Sequence, residues 1–131
     1  MSPIGNIQLG TIVLVVVRDP DTRATLEPHP AVVLNCSTEI EAGSDLRVAV
    51  CTTSFRGLQS GWFELPASPG GHKQTGLDQA CVVKATWIER VPQAEVLRVF
   101  GRAPARIFKQ ILNWLEDKDR DEKRRRGESG A

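Results

Sequence analysis

The chain has 131 residues and a mass of 14.4 kDa, a length that holds one domain. Seventeen Lys and Arg against sixteen Asp and Glu leave a formal net charge of +1, which excludes a strongly basic polyanion binder. A composition of 40% hydrophobic and 25% charged residues excludes a mostly disordered, collagen-like or coiled-coil chain, and three Trp, four Phe and no Tyr are too few aromatics for a base-stacking sheet of the RRM type.

The first element, Gly10 to Val17, is short, β-branched and continuously apolar, which predicts a strand buried on both faces. Asp19-Pro-Asp-Thr22 has turn chemistry and opens a loop that runs to Pro30. Ala31 to Cys36 is a second apolar strand, and Glu39 to Asp45 a polar connection. Leu46 to Thr53 is the third strand, with Leu46, Val48 and Val50 on one face. A loop from Ser54 to Gly61 leads to a short strand, Trp62–Leu65, stopped by Pro66. Ala67 to Gly76, with Pro69-Gly70-Gly71, is a surface loop. Ala80 to Val91 is a long strand ended by Pro92, and Leu97 to Phe100 a last short one. Pro104 suits the first position of a helix, and Ile107, Phe108, Ile111, Leu112, Trp114 and Leu115 recur at helical spacing as far as about Asp117. That wide stripe covers the strands, and its surplus offers a face for a second copy.

From Glu116 to Ala131 six basic and six acidic residues share sixteen positions, too polar to offset the entropy of ordering. The expected organisation is a domain over 3–117 and a charged, disordered tail over 118–131. Within the tail, Lys123 to Arg126 either touches RNA non-specifically or is neutralised by the acidic residues before it. Five or six short strands followed by one helix make an α+β chain, a small β-barrel or strongly curved sheet with the helix packed on it. The longest apolar run, Ile12 to Val17, is six residues, far short of a membrane span, and the N-terminus has no signal-peptide pattern. Cys36, Cys51 and Cys81 have no zinc spacing and read as reduced, buried thiols of a cytoplasmic protein; no metal and no cofactor is expected.

Four stretches in this order carry a resemblance. They are Gly10-Thr-Ile-Val-Leu-Val15, Pro28-His-Pro-Ala-Val-Val-Leu34, Val48-Ala-Val-Cys-Thr-Thr-Ser54, and Thr75-Gly-Leu-Asp-Gln79 followed by Val82-Val-Lys-Ala85. Over roughly Gly10 to Leu115 the chain resembles the PemK/MazF toxins of type II toxin–antitoxin modules. The resemblance implies an SH3-like barrel of five to six strands with a C-terminal helix. It also implies a homodimer, an endoribonuclease acting on single-stranded RNA, and a cognate antitoxin as partner. Cleavage of this kind uses the 2′-OH as nucleophile on the adjacent phosphate. It needs a proton acceptor, a proton donor for the leaving 5′ oxygen, and charge or donors for the phosphate.

Carried over residue by residue, the resemblance places His29, Thr52 and Asp78 in the catalytic roles. Thr52 matches the family's strand-end Thr. His29 stands where the chromosomal branch has an Arg, and Ala24 where several members have an acidic residue. Asp78 and Gln79 match the plasmid branch, but Gly76 stands where that branch has a catalytic Arg. His29, stiffened between Pro28 and Pro30, is either a proton-transfer group or a surface loop residue. Thr52 is either a phosphate donor or a good strand residue, and Asp78 either an acid–base group or the stabiliser of its own turn. Arg18, Arg23, Thr53, Arg56, Lys73 and Gln79 are the candidate RNA contacts, and His72 lies in a loop able to fold over RNA or simply stay exposed. Two further readings stand beside the ribonuclease: a catalytically degenerate PemK-like barrel that binds RNA or protein, and an unrelated SH3-like interaction domain.

Overall fold

The computed structural model describes residues 7–19, 21–53 and 55–125. Pro20 and Ser54, named above in turns, lie outside the described residues, as do 3–6 of the expected domain and 126–131 of the expected tail.

The described residues form six strands and two helices. They are β1 (Thr11–Val15), β2 (His29–Val33), α1 (Ser37–Glu41), β3 (Leu46–Thr52), β4 (Trp62–Leu65), β5 (Cys81–Val91), β6 (Val96–Arg102) and α2 (Ala105–Arg125), with a 3₁₀ turn at Gln93–Glu95 before β6. The strands form one antiparallel sheet in the order β4-β5-β3-β2-β1-β6. The continuous apolar runs follow from burial on both faces. Val13, Val15, Ala31, Val33, Val48 and Val50 share one core with Ile40 of α1. Ile12, Val32, Ala49, Cys51 and Val83 face the other way, onto α2.

Helix α2 is held by Ile111, which is fully buried, and by half-buried Ile107, Phe108, Trp114 and Leu115 around it. Burying a side chain the size of Ile111 contributes roughly 1.5–3 kcal/mol. Trp114 also donates its indole N–H to Ser60 Oγ at 3.1 Å. Most of the apolar stripe is thus spent on the chain's own sheet. No helix among the described residues is long and apolar enough to cross a membrane.

The fold class is α+β as expected, but the sheet is open rather than closed into a barrel. β4 and β6 are its two edges and do not pair. β4 has only four residues, and Pro66, which ends it, has no N–H to extend a ladder. The loop over 66–80 spans the gap instead. Thr75 Oγ1 donates to the Pro66 carbonyl at 2.7 Å, and Arg102 N donates to Gln74 O at 2.8 Å. The loop therefore covers an edge that would otherwise offer unpaired backbone.

Three other expectations change. The polar connection before β3 contains the short helix α1, anchored by buried Ile40 and terminated where Gly43 N donates to Ile40 O. β2 begins earlier and ends sooner than the apolar run. Pro28 and Pro30 hold its start extended, and beyond Val33 the Asn35 side chain bonds Arg47 N and the Asp45 carbonyl in place of ladder partners. The terminal helix does not stop near Asp117 but continues to Arg125, so 118–125 is helical rather than disordered. Arg120 pairs with Asp117 and Lys123 with Asp119 at helical spacing, and Lys and Arg are good helix formers.

Candidate functional site

The site is built where β2 begins and β3 ends. Ala31 opposes Val50, Val32 opposes Ala49 and Val33 opposes Val48. The same register, continued toward the strand ends, sets His29 opposite Thr52 on one face of the sheet. The third segment is the bridging loop. Buried Leu77 anchors it, its carbonyl accepting from Ser68 N and His72 N and its N–H donating to Thr75 Oγ1. Asp78 and Gln79 follow at once and are exposed.

These segments enclose a cleft of about 410 Å³. His29, Thr52, Thr53, Asp78 and Gln79 line it, with Glu27, Pro28 and Pro30 on the β2 side. Cys51, Leu77, Cys81 and Phe100 make its apolar part. All three expected catalytic residues and two of the expected RNA contacts therefore come together from three separate stretches of chain.

His29 is held from two sides. Its Nδ1 lies 2.6 Å from the Glu27 carbonyl, which can only accept, so Nδ1 carries a proton and Nε2 is the nitrogen left for a substrate. Its ring meets Trp87 edge-on, with centroids 5.7 Å apart and planes at 65°. Trp87 is fixed in turn, its Nε1 donating to Glu89 Oε1 at 3.1 Å, and Glu89 pairs with Arg23 at 3.4 Å.

Four expected RNA contacts are not at the cleft. Arg23 is the outer end of the chain just described. Arg18 pairs with Glu95 at 3.8 Å and bonds Thr25 Oγ1, and both arginines border a separate depression beside Glu89 and Glu95. Arg56 and Lys73 are exposed and line no part of the cleft. Among the described residues, no Arg or Lys lines it.

His72 does not sit on a loose flap. It is half-buried, and its Nδ1 accepts from Gln74 N at 3.1 Å and Thr75 N at 3.3 Å, pinning the loop's turn. Gly76 also has a local reason to lack a side chain. Its φ is +73°, and a Cβ there would lie 2.7 Å from the Phe100 carbonyl carbon and closer still to its oxygen. The loop crosses β6 too tightly for the arginine that the plasmid branch carries.

Sequence reasoning missed Trp87 and Phe100, and it did not place the two thiols Cys51 and Cys81 in the wall of the cleft. Cys51 and Cys81 are buried as expected, whereas Cys36 is exposed. Burial pushes the Cys51 thiol up, and its hydrogen bond to the Cys81 sulfur draws Cys81 down from the ordinary thiol value. Among the described residues no group of three or more His, Cys, Asp or Glu is placed to hold a metal ion.

Comparison of the whole fold with solved structures gives consistent neighbours. A mycobacterial endoribonuclease in complex with its cognate antitoxin superposes with a TM-score of 0.60, over 83% of this chain and 90% of that one, at 16% identity. Another mycobacterial endoribonuclease gives 0.57 over 83% and 86%, also at 16% identity. The Mycobacterium tuberculosis toxin MazF-mt6 gives 0.58 over 80% and 93%, at 17% identity. The chain shares the MazF fold. No family model matches the sequence, and no curated protein does. The MazF likeness therefore lies in strand order and helix placement, not in residue identity, and the role of each cleft residue rests on its own chemistry.

Proposed function

We propose that the protein is a MazF-like toxin, an endoribonuclease that cuts single-stranded RNA without a metal and acts in the cytoplasm as a homodimer restrained by an antitoxin. The observation that carries this reading is the meeting of His29, Thr52 and Asp78 in one cleft of a MazF fold. The Asp78 carboxylate takes the proton of the RNA 2′-OH. The freed oxygen attacks the adjacent phosphorus, and the bond to the 5′ oxygen breaks. His29, protonated on both nitrogens, gives the Nε2 proton to that leaving oxygen. The products are a 2′,3′-cyclic phosphate and a 5′-hydroxyl. The Glu27 carbonyl stabilises the imidazolium through Nδ1–H, and the Thr52 and Thr53 hydroxyls donate to the phosphate oxygens.

The test is incubation of the purified protein with a long single-stranded RNA in EDTA. Discrete cuts are expected, lost by about 10²–10⁴-fold in His29→Ala and in Asp78→Asn, the range for removing a positioned acid or base. Intact RNA with a folded protein overturns the enzyme and leaves the binding module.

A further inference from the structure

The cleft has a charge imbalance. A phosphate entering it meets two carboxylates, Glu27 and Asp78, and no Arg or Lys in the walls. Of the four cations expected for the task, Arg18 is spent on Glu95 and Arg23 on Glu89, and Arg56 and Lys73 line no part of the cleft. One guanidinium is placed to correct the balance. Arg98 is exposed and has no ion pair among the described residues, and its guanidinium carbon sits 4.7 Å from the centroid of the Phe100 ring, which is itself a wall of the cleft. The sheet register also places it beside the cleft: Leu14 opposes both Pro30 on β2 and Arg98 on β6, so Arg98 and the cleft residue Pro30 stand in one cross-strand row, while His29 and Thr52 lie one position along and face the other way.

We infer that Arg98 is the phosphate-binding cation of this cleft, gripping a backbone phosphate of single-stranded RNA beside the scissile one. Stacking on Phe100 limits the directions the guanidinium can take and leaves its N–H edge free for phosphate oxygens. The inference rests on the ribonuclease reading above, and it assigns RNA contact to a residue that neither composition nor motif spacing marks.

The experiment measures binding of a short single-stranded RNA carrying 2′-O-methyl groups throughout, which removes the nucleophile and prevents cleavage. Affinity is followed against salt concentration for the unsubstituted protein and for Arg98→Gln, Arg98→Lys and Arg120→Gln. Thermal melts verify that each is folded. Arg98→Gln is expected to weaken binding about three- to tenfold at low salt and to reduce the slope of log affinity on log salt by about 0.7, the value of one single-strand phosphate contact. Arg98→Lys keeps the slope, and Arg120→Gln on α2 leaves both quantities unchanged. An unchanged slope in Arg98→Gln, or an equal loss in Arg98→Lys, overturns the inference while leaving the ribonuclease reading intact. Absence of any binding by the unsubstituted protein overturns the RNA reading and the inference with it.

Discussion

Replacing Gly76 by alanine tests how the loop that carries Asp78 is held against the sheet. Two costs arise at that position, and a second glycine separates them. Gly70 has a φ of +82° and open space around its missing side chain, so Gly70→Ala meets only the left-handed backbone, about 1 kcal/mol. Gly76 adds the collision with the Phe100 backbone. Neither the strand nor the new methyl can yield, so the loop must lift. Lifting breaks the Arg102 N to Gln74 O bond, about 1 kcal/mol, and partly exposes Leu77, whose full burial contributes about 1.5–3 kcal/mol. Gly76→Ala is therefore expected to cost about 2.5–4 kcal/mol, and Gly70→Ala about 1 kcal/mol. Urea denaturation followed by Trp fluorescence reads both. A shift of about 1 Å in Asp78 should also lower cleavage by up to about a hundredfold. If Gly76→Ala matches Gly70→Ala within about 0.5 kcal/mol and cuts RNA normally, the loop is not held by this crossing.

Three further outcomes follow from particular contacts. Trp87→Leu removes the ring that braces His29, so kcat/KM should fall about tenfold with KM little changed, while Trp87→Phe restores it; equal kcat/KM in all three proteins contradicts the bracing. A maleimide should modify one thiol of the native protein, Cys36, and all three in denaturant, as counted by intact mass; fast native labelling of Cys51 or Cys81 contradicts their burial. Truncation after Asp117 should change stability by no more than about 1 kcal/mol, because beyond it the described part of α2 makes exposed ion pairs and the contact of Lys118 with the Trp114 ring; a larger loss in a urea melt would show a contact with the sheet.

Most strands were legible because they are β-branched, apolar runs between turn residues, and β4, an aromatic-rich run without a β-branched residue, was placed to the residue by the Pro that stops it. The three catalytic candidates were legible only through motif order, since nothing local says that Asp78 will lie across a cleft from His29. The arginines misled for the same reason. Arg18 and Arg23 lie between the first two expected strands, but their partners Glu95 and Glu89 come from the turn before β6 and from distant β5. Trp87, far along the chain from His29, was hidden likewise. The open sheet was not legible because its closure depends on a loop with no periodic pattern, held by backbone bonds at Gln74 and Thr75. The helical run beyond Asp117 was misread because charge density was weighed without the helix-spaced pairing of opposite signs.

In the proposed reaction the RNA supplies the nucleophile, and the cleft around His29 and Asp78 moves protons and holds phosphate. The direct measurement maps one cut in a single-stranded RNA, then repeats the reaction with a single 2′-deoxy nucleotide on the 5′ side of that cut. This cut is expected to disappear while others remain, and the original fragments to end in a 2′,3′-cyclic phosphate. Cleavage that survives the 2′-deoxy substitution, or that is equal in His29→Ala and the unsubstituted protein, contradicts the proposed reaction.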